Sequence, residues 1–143
     1  MRKKIFALSG SFLVLFMITS CAKDMAKIET ELKAVYNDGT KMAQDITVKA
    51  NDAKTAAESI AVMTEMSTRF KTLKNKEDGL IKKYRLTQPE MDKIMANLKT
   101  ELDVFSKALE NSGFAIGTSA GKFGTDKNVM AEFKKWQEAM GGK

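Results

Sequence analysis

Hydrophobic residues recur every three or four positions through the first half of the chain, as they do on one face of an α-helix. The spacing averages about 3.5 residues, which is typical of helices that pack nearly parallel, whereas strands alternate with a period of two. Charged residues such as Glu29, Lys41 and Glu58 fall between these positions. The positions of the repeat are Met25, Ile28, Leu32, Val35, Gly39, Met42, Ile46, Lys49, Ala53, Ala56, Ile60, Met63, Ser67 and Phe70.

A strong turn signal, Asn37-Asp38-Gly39-Thr40, interrupts this repeat. We therefore predict a short helix near residues 24–36 and a longer one near 40–74. The repeat keeps its phase across the turn signal, so a single helix over 24–75 stays open as an alternative. Such a helix would be about 78 Å long and would form a coiled-coil oligomer through the 25–70 seam.

A second helix signal begins at Thr87-Gln88-Pro89-Glu90, which has the spacing of a capping box with proline in the first turn. The apolar stripe that follows predicts a helix that ends at Asn111-Ser112-Gly113. The stripe consists of Met91, Ile94, Met95, Leu98, Leu102, Phe105 and Leu109.

Residues 113–124 are rich in glycine, and we predict a flexible loop there. Phe114, Ile116 and Phe123 would then tuck onto the helices, and a binding loop is the alternative interpretation. A last helix is predicted from Thr125 or Asp126 to Met140. Together these segments predict an all-α fold, a small antiparallel bundle of about four helices in one domain over residues 21–143.

The N-terminus differs from the rest of the chain. Arg2, Lys3 and Lys4 precede an uncharged, mostly apolar run from Ile5 to Ile18. As a helix this run would rise about 21 Å, short of the ~30 Å that a membrane span needs. It is typical of the hydrophobic region of a signal peptide.

Ile18-Thr19-Ser20-Cys21 follows this run, and Cys21 is the only cysteine. The four residues resemble the lipobox of bacterial lipoproteins. The resemblance implies that signal peptidase II removes residues 1–20 as a signal peptide and that Cys21 carries diacylglycerol and acyl chains such as palmitate. It implies a lipid-anchored cell-envelope protein. Ala22 after the cysteine favours the outer membrane if the organism has two membranes.

Two absences from the sequence limit the reactions and metal sites that the protein could support. The chain has no histidine, which removes the commonest general base and metal ligand, and its single cysteine allows no disulfide or thiolate zinc cluster. We predict no enzyme activity, no cofactor and no metal site. Removing Arg2, Lys3 and Lys4 from the net charge of +6 leaves +3, so we predict no nucleic-acid binding.

Positive charge is concentrated between residues 69 and 85. This segment could face anionic head groups or an acidic partner, and the alternative is a solvated helix end, where cations are favourable. With Phe114, Ile116 and Phe123 it makes up the predicted interaction surface. Its basic residues are Arg69, Lys71, Lys74, Lys76, Lys82, Lys83 and Arg85.

The function predicted from these features is binding or scaffolding by a lipid-anchored helical domain. Its partners would be the membrane, through the anchor, and an unknown envelope protein or anionic surface. A carrier of a lipid or another apolar molecule is an alternative. That function needs a cavity of a few hundred Å³ between the helices, lined by methionines and phenylalanines and closed by the 113–124 loop.

Overall fold

The computed structural model describes residues 23–141, which form an all-helical fold. The all-α prediction is therefore confirmed, although this part of the chain has five helices where about four were expected. The helices are α1 Met25–Asp52, α2 Ala56–Tyr84, α3 Gln88–Asn97, α4 Lys99–Lys122 and α5 Lys127–Ala139.

Helix α1 continues through the predicted turn at residues 37–40, so the break placed there is wrong. Gly39 is buried, with side chains of α2 and α4 packed against it. An added Cβ at Gly39 would lie 2.6 Å from Phe105 Cε2 and 2.8 Å from Leu73 Cδ2. The glycine therefore allows close contact between helices. In the sequence, a glycine with this role looks the same as a glycine in a turn.

The reversal occurs between Asp52 and Ala56, so the helices predicted near 24–36 and 40–74 and the single helix over 24–75 are all wrong. A capping box begins α2 at this point. The Glu58 backbone N–H donates to Thr55 Oγ1 at 3.2 Å, and the Thr55 N–H donates to Glu58 Oε2 at 3.1 Å. These bonds satisfy two of the N–H groups that a helix start leaves without partners.

The predicted capping box at Thr87 is confirmed, with the Thr87 N–H donating to Glu90 Oε2 at 2.8 Å. The helix after it is divided at Leu98 into α3 and α4. The predicted stop at residues 111–113 and the loop over 113–124 are wrong, because α4 continues to Lys122. Its buried face is Ala108, Ser112, Ala115, Ile116, Ser119 and Ala120, which has helical spacing.

Helix α5 begins where the sequence predicted, with Asp126 as its N-cap accepting from the Val129 N–H at 3.3 Å. Helix α1 packs against both α4 and α2, α5 lies mainly on α2, and α3 contacts α4 and α1. One buried cluster joins α1, α2, α4 and α5, and a second joins α1 to α3. The first contains Met42, Ile46, Met63, Met66, Ile116 and Val129, and the second contains Ile28, Leu32, Tyr36, Ile94 and Leu98.

Candidate functional site

The basic segment 69–85 forms the second half of α2 and its C-cap, and three of its seven basic residues are paired with carboxylates. Arg69 Nη1 lies 2.5 Å from Asp45 Oδ2 and 2.9 Å from Glu65 Oε1. The guanidinium holds the pKa of the Asp45 carboxyl below its usual range. Lys76 lies 3.7 Å from Asp38. The contacts to Asp45 and Asp38 join α2 to α1, and the contact to Glu65 lies within α2.

Lys83 is paired as well, at the end of α2. Its ammonium lies 3.0 Å from Glu31 Oε2 on α1 and 4.6 Å from the centroid of the Tyr84 ring. The Tyr84 hydroxyl donates to Glu31 Oε1 at 2.8 Å, and this bond and the lysine lower the pKa of the Glu31 carboxyl. The predicted basic surface is thus partly a set of contacts between α1 and α2.

Four basic residues of the segment stand apart from these pairs. Among residues 23–141, no carboxylate lies within 4.0 Å of a charged nitrogen of Lys71, Lys74, Lys82 or Arg85. Lys71 and Lys74 are exposed on one side of α2, and Lys82 and Arg85 are at its C-terminal end. The charge available to a partner therefore lies in two places.

Lys71 and Lys74 border a groove of about 710 Å³ between α2 and α4, which we call the α2–α4 groove. Helix α5 ends at its edge, where Ala139, Met140 and Gly141 contribute to the lining, and Val35 and Tyr36 come from α1. The groove is lined mainly by apolar side chains. These are Val35, Phe70, Leu73, Phe105, Leu109 and Met140. Its size is in the range of small-molecule sites.

A buried phenol, that of Tyr36, lines the α2–α4 groove. The Tyr36 hydroxyl donates to Glu77 Oε1 at 2.7 Å and lies 3.4 Å from the Met95 sulfur of α3. Burial, and then the bond to Glu77, raise the pKa of Tyr36 far above its ordinary value. The phenol is therefore neutral at physiological pH and remains a donor, so the Glu77 carboxylate is held toward α1.

The three apolar residues of the predicted interaction surface are not brought together. Phe114 is 79% exposed on α4, whereas Ile116 is 1% exposed and belongs to the core. Phe123 packs partly buried against the same core cluster. Since residues 113–122 are helical, their side chains point in different directions. The prediction that these three residues contribute to one interaction surface is therefore wrong.

Cys21, the predicted lipidation site, lies outside the described residues, but Lys23 two positions later is firmly held. Its ammonium donates to both carboxylate oxygens of Glu90, at 2.8 and 2.6 Å, and to the Arg85 carbonyl at 2.9 Å. Arg85 has a left-handed backbone (φ 49°) that ends α2. This set of contacts, the Lys23–Glu90 clamp, ties the start of α1 to the connection between α2 and α3.

The Lys23–Glu90 clamp predicts a pH dependence. Lys23, then the Thr87 N–H, lower the pKa of Glu90 from 4.5 to about 2. A carboxyl group whose pKa is lowered by folding stabilises the protein at pH values above its pKa in the unfolded chain. That stabilisation is lost as the pH falls from 4.5 toward 2. In urea unfolding, Glu90→Gln should lower the midpoint at pH 7, and its deficit relative to wild type should shrink toward pH 2.

The control for this experiment is Glu138→Gln, since the Glu138 side chain is exposed and makes no hydrogen bond or ion pair within the described chain. That variant should follow the wild-type profile throughout. A Glu90→Gln deficit that stays constant between pH 7 and pH 2 would contradict the assigned role of the carboxylate.

Residues 23–141 contain no group of three Cys, Asp or Glu side chains placed to hold a metal ion. Of the helices in this range, none is long and apolar enough to cross a membrane. No protein-family model, curated protein or solved structure matches the chain. Its function therefore has to be argued from its own groove and surface.

Sequence reasoning missed the α2–α4 groove and the Lys23–Glu90 clamp. Both depend on contacts between residues far apart in the chain, such as Lys23 with Glu90 and Tyr36 with Glu77. The sequence carried one usable signal, because Glu90 of the capping box was recognised. It gave no indication that the same carboxylate also meets the residue two positions after Cys21.

Proposed function

We propose that this protein is a lipid-anchored lipoprotein of the bacterial cell envelope whose helices, as a small antiparallel bundle, act by binding or scaffolding. The lipobox resemblance at Ile18-Thr19-Ser20-Cys21 supports export and acylation. The observation that carries the proposal is this lipobox, placed directly after the uncharged run from Ile5 to Ile18. The Lys23–Glu90 clamp then fixes the chain two residues after the proposed anchor. No catalysis and no nucleic-acid contact belong to this function.

The short separation between anchor and clamp sets how the domain faces the bilayer. Two extended residues span at most about 7 Å, so a lipid on Cys21 holds Lys23 close to the membrane surface. The start of α1 and the connection between α2 and α3 then face the head groups. Lys82 and Arg85 lie at this end of the domain, where each basic residue gains about 1 kcal/mol near an anionic surface.

The acyl chains provide the attachment itself. Each buried methylene contributes about 0.8 kcal/mol, so two or three chains on one cysteine anchor a protein stably. Confinement to a surface raises the effective concentration of the domain for a partner on the same membrane. That partner is an envelope protein or an anionic surface, and the outer membrane is the proposed location in an organism with two membranes.

The decisive experiment is Cys21→Ala in the full-length chain. We expect the variant to keep residues 1–20, to lose the added mass of the acyl chains, and to show no lipid-dependent detergent partitioning. Intact-mass spectrometry and phase partitioning measure these outcomes. Ser20→Ala is the matched control, since it keeps a small residue before the cysteine, and it should be processed like the wild type.

The proposal fails if the native protein carries an unmodified Cys21. It also fails if Cys21→Ala is cleaved and partitions as the wild type does. Either result would leave the helical domain without a lipid anchor, and a different mode of location would be needed.

A second candidate function is the carrier of an apolar molecule, and the α2–α4 groove favours it. A carrier needs a cavity of several hundred Å³ with an apolar lining and a few polar groups, and the groove has about 710 Å³. Phe70, Phe105 and Met140 are in its lining, but no loop over 113–124 closes it, because α4 continues to Lys122. The coiled-coil oligomer has less support. Its seam positions Ile28, Leu32 and Ile46 are fully buried within the single chain.

A further inference from the structure

We propose that the α2–α4 groove binds an amphiphile with an alkyl chain and a small anionic head group, a carboxylate or a phosphate. The chain would lie against Phe70, Phe105 and Leu109, and the head would lie beside Lys71 and Lys74. This inference rests on the second candidate function, the carrier. It does not depend on the lipid anchor at Cys21.

Three apolar side chains of the groove, Phe70, Phe105 and Leu109, are only partly buried, whereas Val35 and Leu73 are buried. Helix α5 lies on α2 and ends at Ala139, and Ala139, Met140 and Gly141 line the groove there. Phe70 on α2 and Leu109 on α4 pack partly against the core cluster, and both also line the groove. An apolar concavity of this size, on otherwise well-packed helices, is the usual form of a site for an apolar ligand.

Charge at the edge of the groove selects the head group. Arg69, Lys76 and Lys83 in the same segment are each paired with a carboxylate. Lys71 and Lys74, three residues apart on one side of α2, meet no carboxylate within residues 23–141 and border the groove. Two adjacent cations beside an apolar lining complement an amphiphile whose polar end is an anion.

Glu77 sets the direction of the bound molecule. It lies one turn beyond Lys74 and also lines the groove, with its carboxylate held by the Tyr36 hydroxyl at 2.7 Å. An anionic head would be repelled there, so it belongs nearer Lys71. The acyl chains on Cys21 carry no anion of their own, so the two lysines do not favour them as occupants.

The test uses the full-length chain in total cell extract, so that membrane-bound and unbound protein are both probed. The probe is a long-chain alkyl carboxylate with a photoreactive diazirine in the middle of the chain, alongside the alkyl phosphate and the alkyl alcohol of equal length. After irradiation, adducts are mapped by peptide mass spectrometry. We expect the anionic probes to label the segments around Phe70–Leu73 and Phe105–Leu109 at least fivefold more than the alcohol does.

Charge reversal provides the matched comparison. Lys71→Glu/Lys74→Glu should reduce groove labelling by the anionic probes about tenfold, and Lys71→Arg/Lys74→Arg should retain it. Lys41→Glu/Lys107→Glu makes the same charge change at exposed lysines outside the groove and should leave labelling unchanged. All four substituted lysines, two at the groove and two in the control, are exposed. The variants are therefore expected to fold.

The failures are distinguishable. Absence of adducts on the groove segments with every probe overturns both the site and the carrier function. If the alcohol labels the groove as strongly as the anionic probes, or if Lys71→Glu/Lys74→Glu is labelled like the wild type, the proposal of an anionic head group is overturned. The carrier function would still stand. An unmodified Cys21 would overturn the anchor alone and would not change either result.

Discussion

Replacing Ile116 with alanine should destabilise the folded domain by about 2–5 kcal/mol, the usual cost of truncating a buried aliphatic side chain. Ile116 is only 1% exposed and packs in the cluster that joins α1, α2, α4 and α5. Its removal leaves a cavity among side chains from several helices. Urea unfolding of the full-length chain, followed by circular dichroism, should show a lower midpoint with an unchanged slope.

Phe114→Ala is the matched control, because Phe114 is two residues away on the same helix and 79% exposed. Its substitution should change stability by no more than about 0.5 kcal/mol. In the loop first predicted for residues 113–124, both side chains would tuck onto the helices, and both substitutions would be costly. Equal losses for the two variants would therefore speak against a helical α4 in this region.

The buried face of α1 could be predicted from the sequence because it depends only on local spacing. Ile28, Leu32, Met42 and Ile46 fall on the predicted repeat, and all four are buried. The capping box at Thr87 was predictable for the same reason, since its two partners are three residues apart. Local signals of this kind do not require knowledge of the neighbouring helix.

The ends of the helices were less predictable, because glycine has two uses. Gly39 and Gly113 were interpreted as a turn and a helix stop, yet both lie inside helices. Gly39 admits Phe105 and Leu73, and the Cβ position of Gly113 lies 3.7 Å from Trp136 Cη2. The true reversal had a recognisable signal in Thr55-Ala56-Ala57-Glu58, whose spacing is that of a capping box.

The candidate site could be predicted only in part. Clustered lysines and arginines are visible in the sequence, but which of them are paired depends on carboxylates of α1 such as Asp45 and Glu31. The α2–α4 groove depends on where α5 ends relative to two other helices. Such distances between elements are set by tertiary packing and have no local signal. The basic segment therefore separates into three paired cations, two that border the groove and two at the C-terminal end of α2.

Gly39→Ala and Gly117→Ala should change stability in opposite directions, although both replace a glycine inside a helix. Alanine gains about 1 kcal/mol of helix propensity at either position. At Gly117 nothing lies within 4 Å of the added carbon, so the gain is kept. At Gly39 the carbon would overlap Phe105 and Leu73, and overpacking costs about 1–3 kcal/mol.

We therefore expect the two variants to differ by about 2 kcal/mol in urea unfolding, with Gly39→Ala the less stable. Gly39→Val should be less stable still, because its larger side chain cannot be accommodated by a small shift of the Leu73 methyl. If Gly39→Ala were as stabilising as Gly117→Ala, residues 37–40 would not pack against α2 and α4. The turn first predicted there would then have to be reconsidered, since an open turn leaves space for the added methyl group.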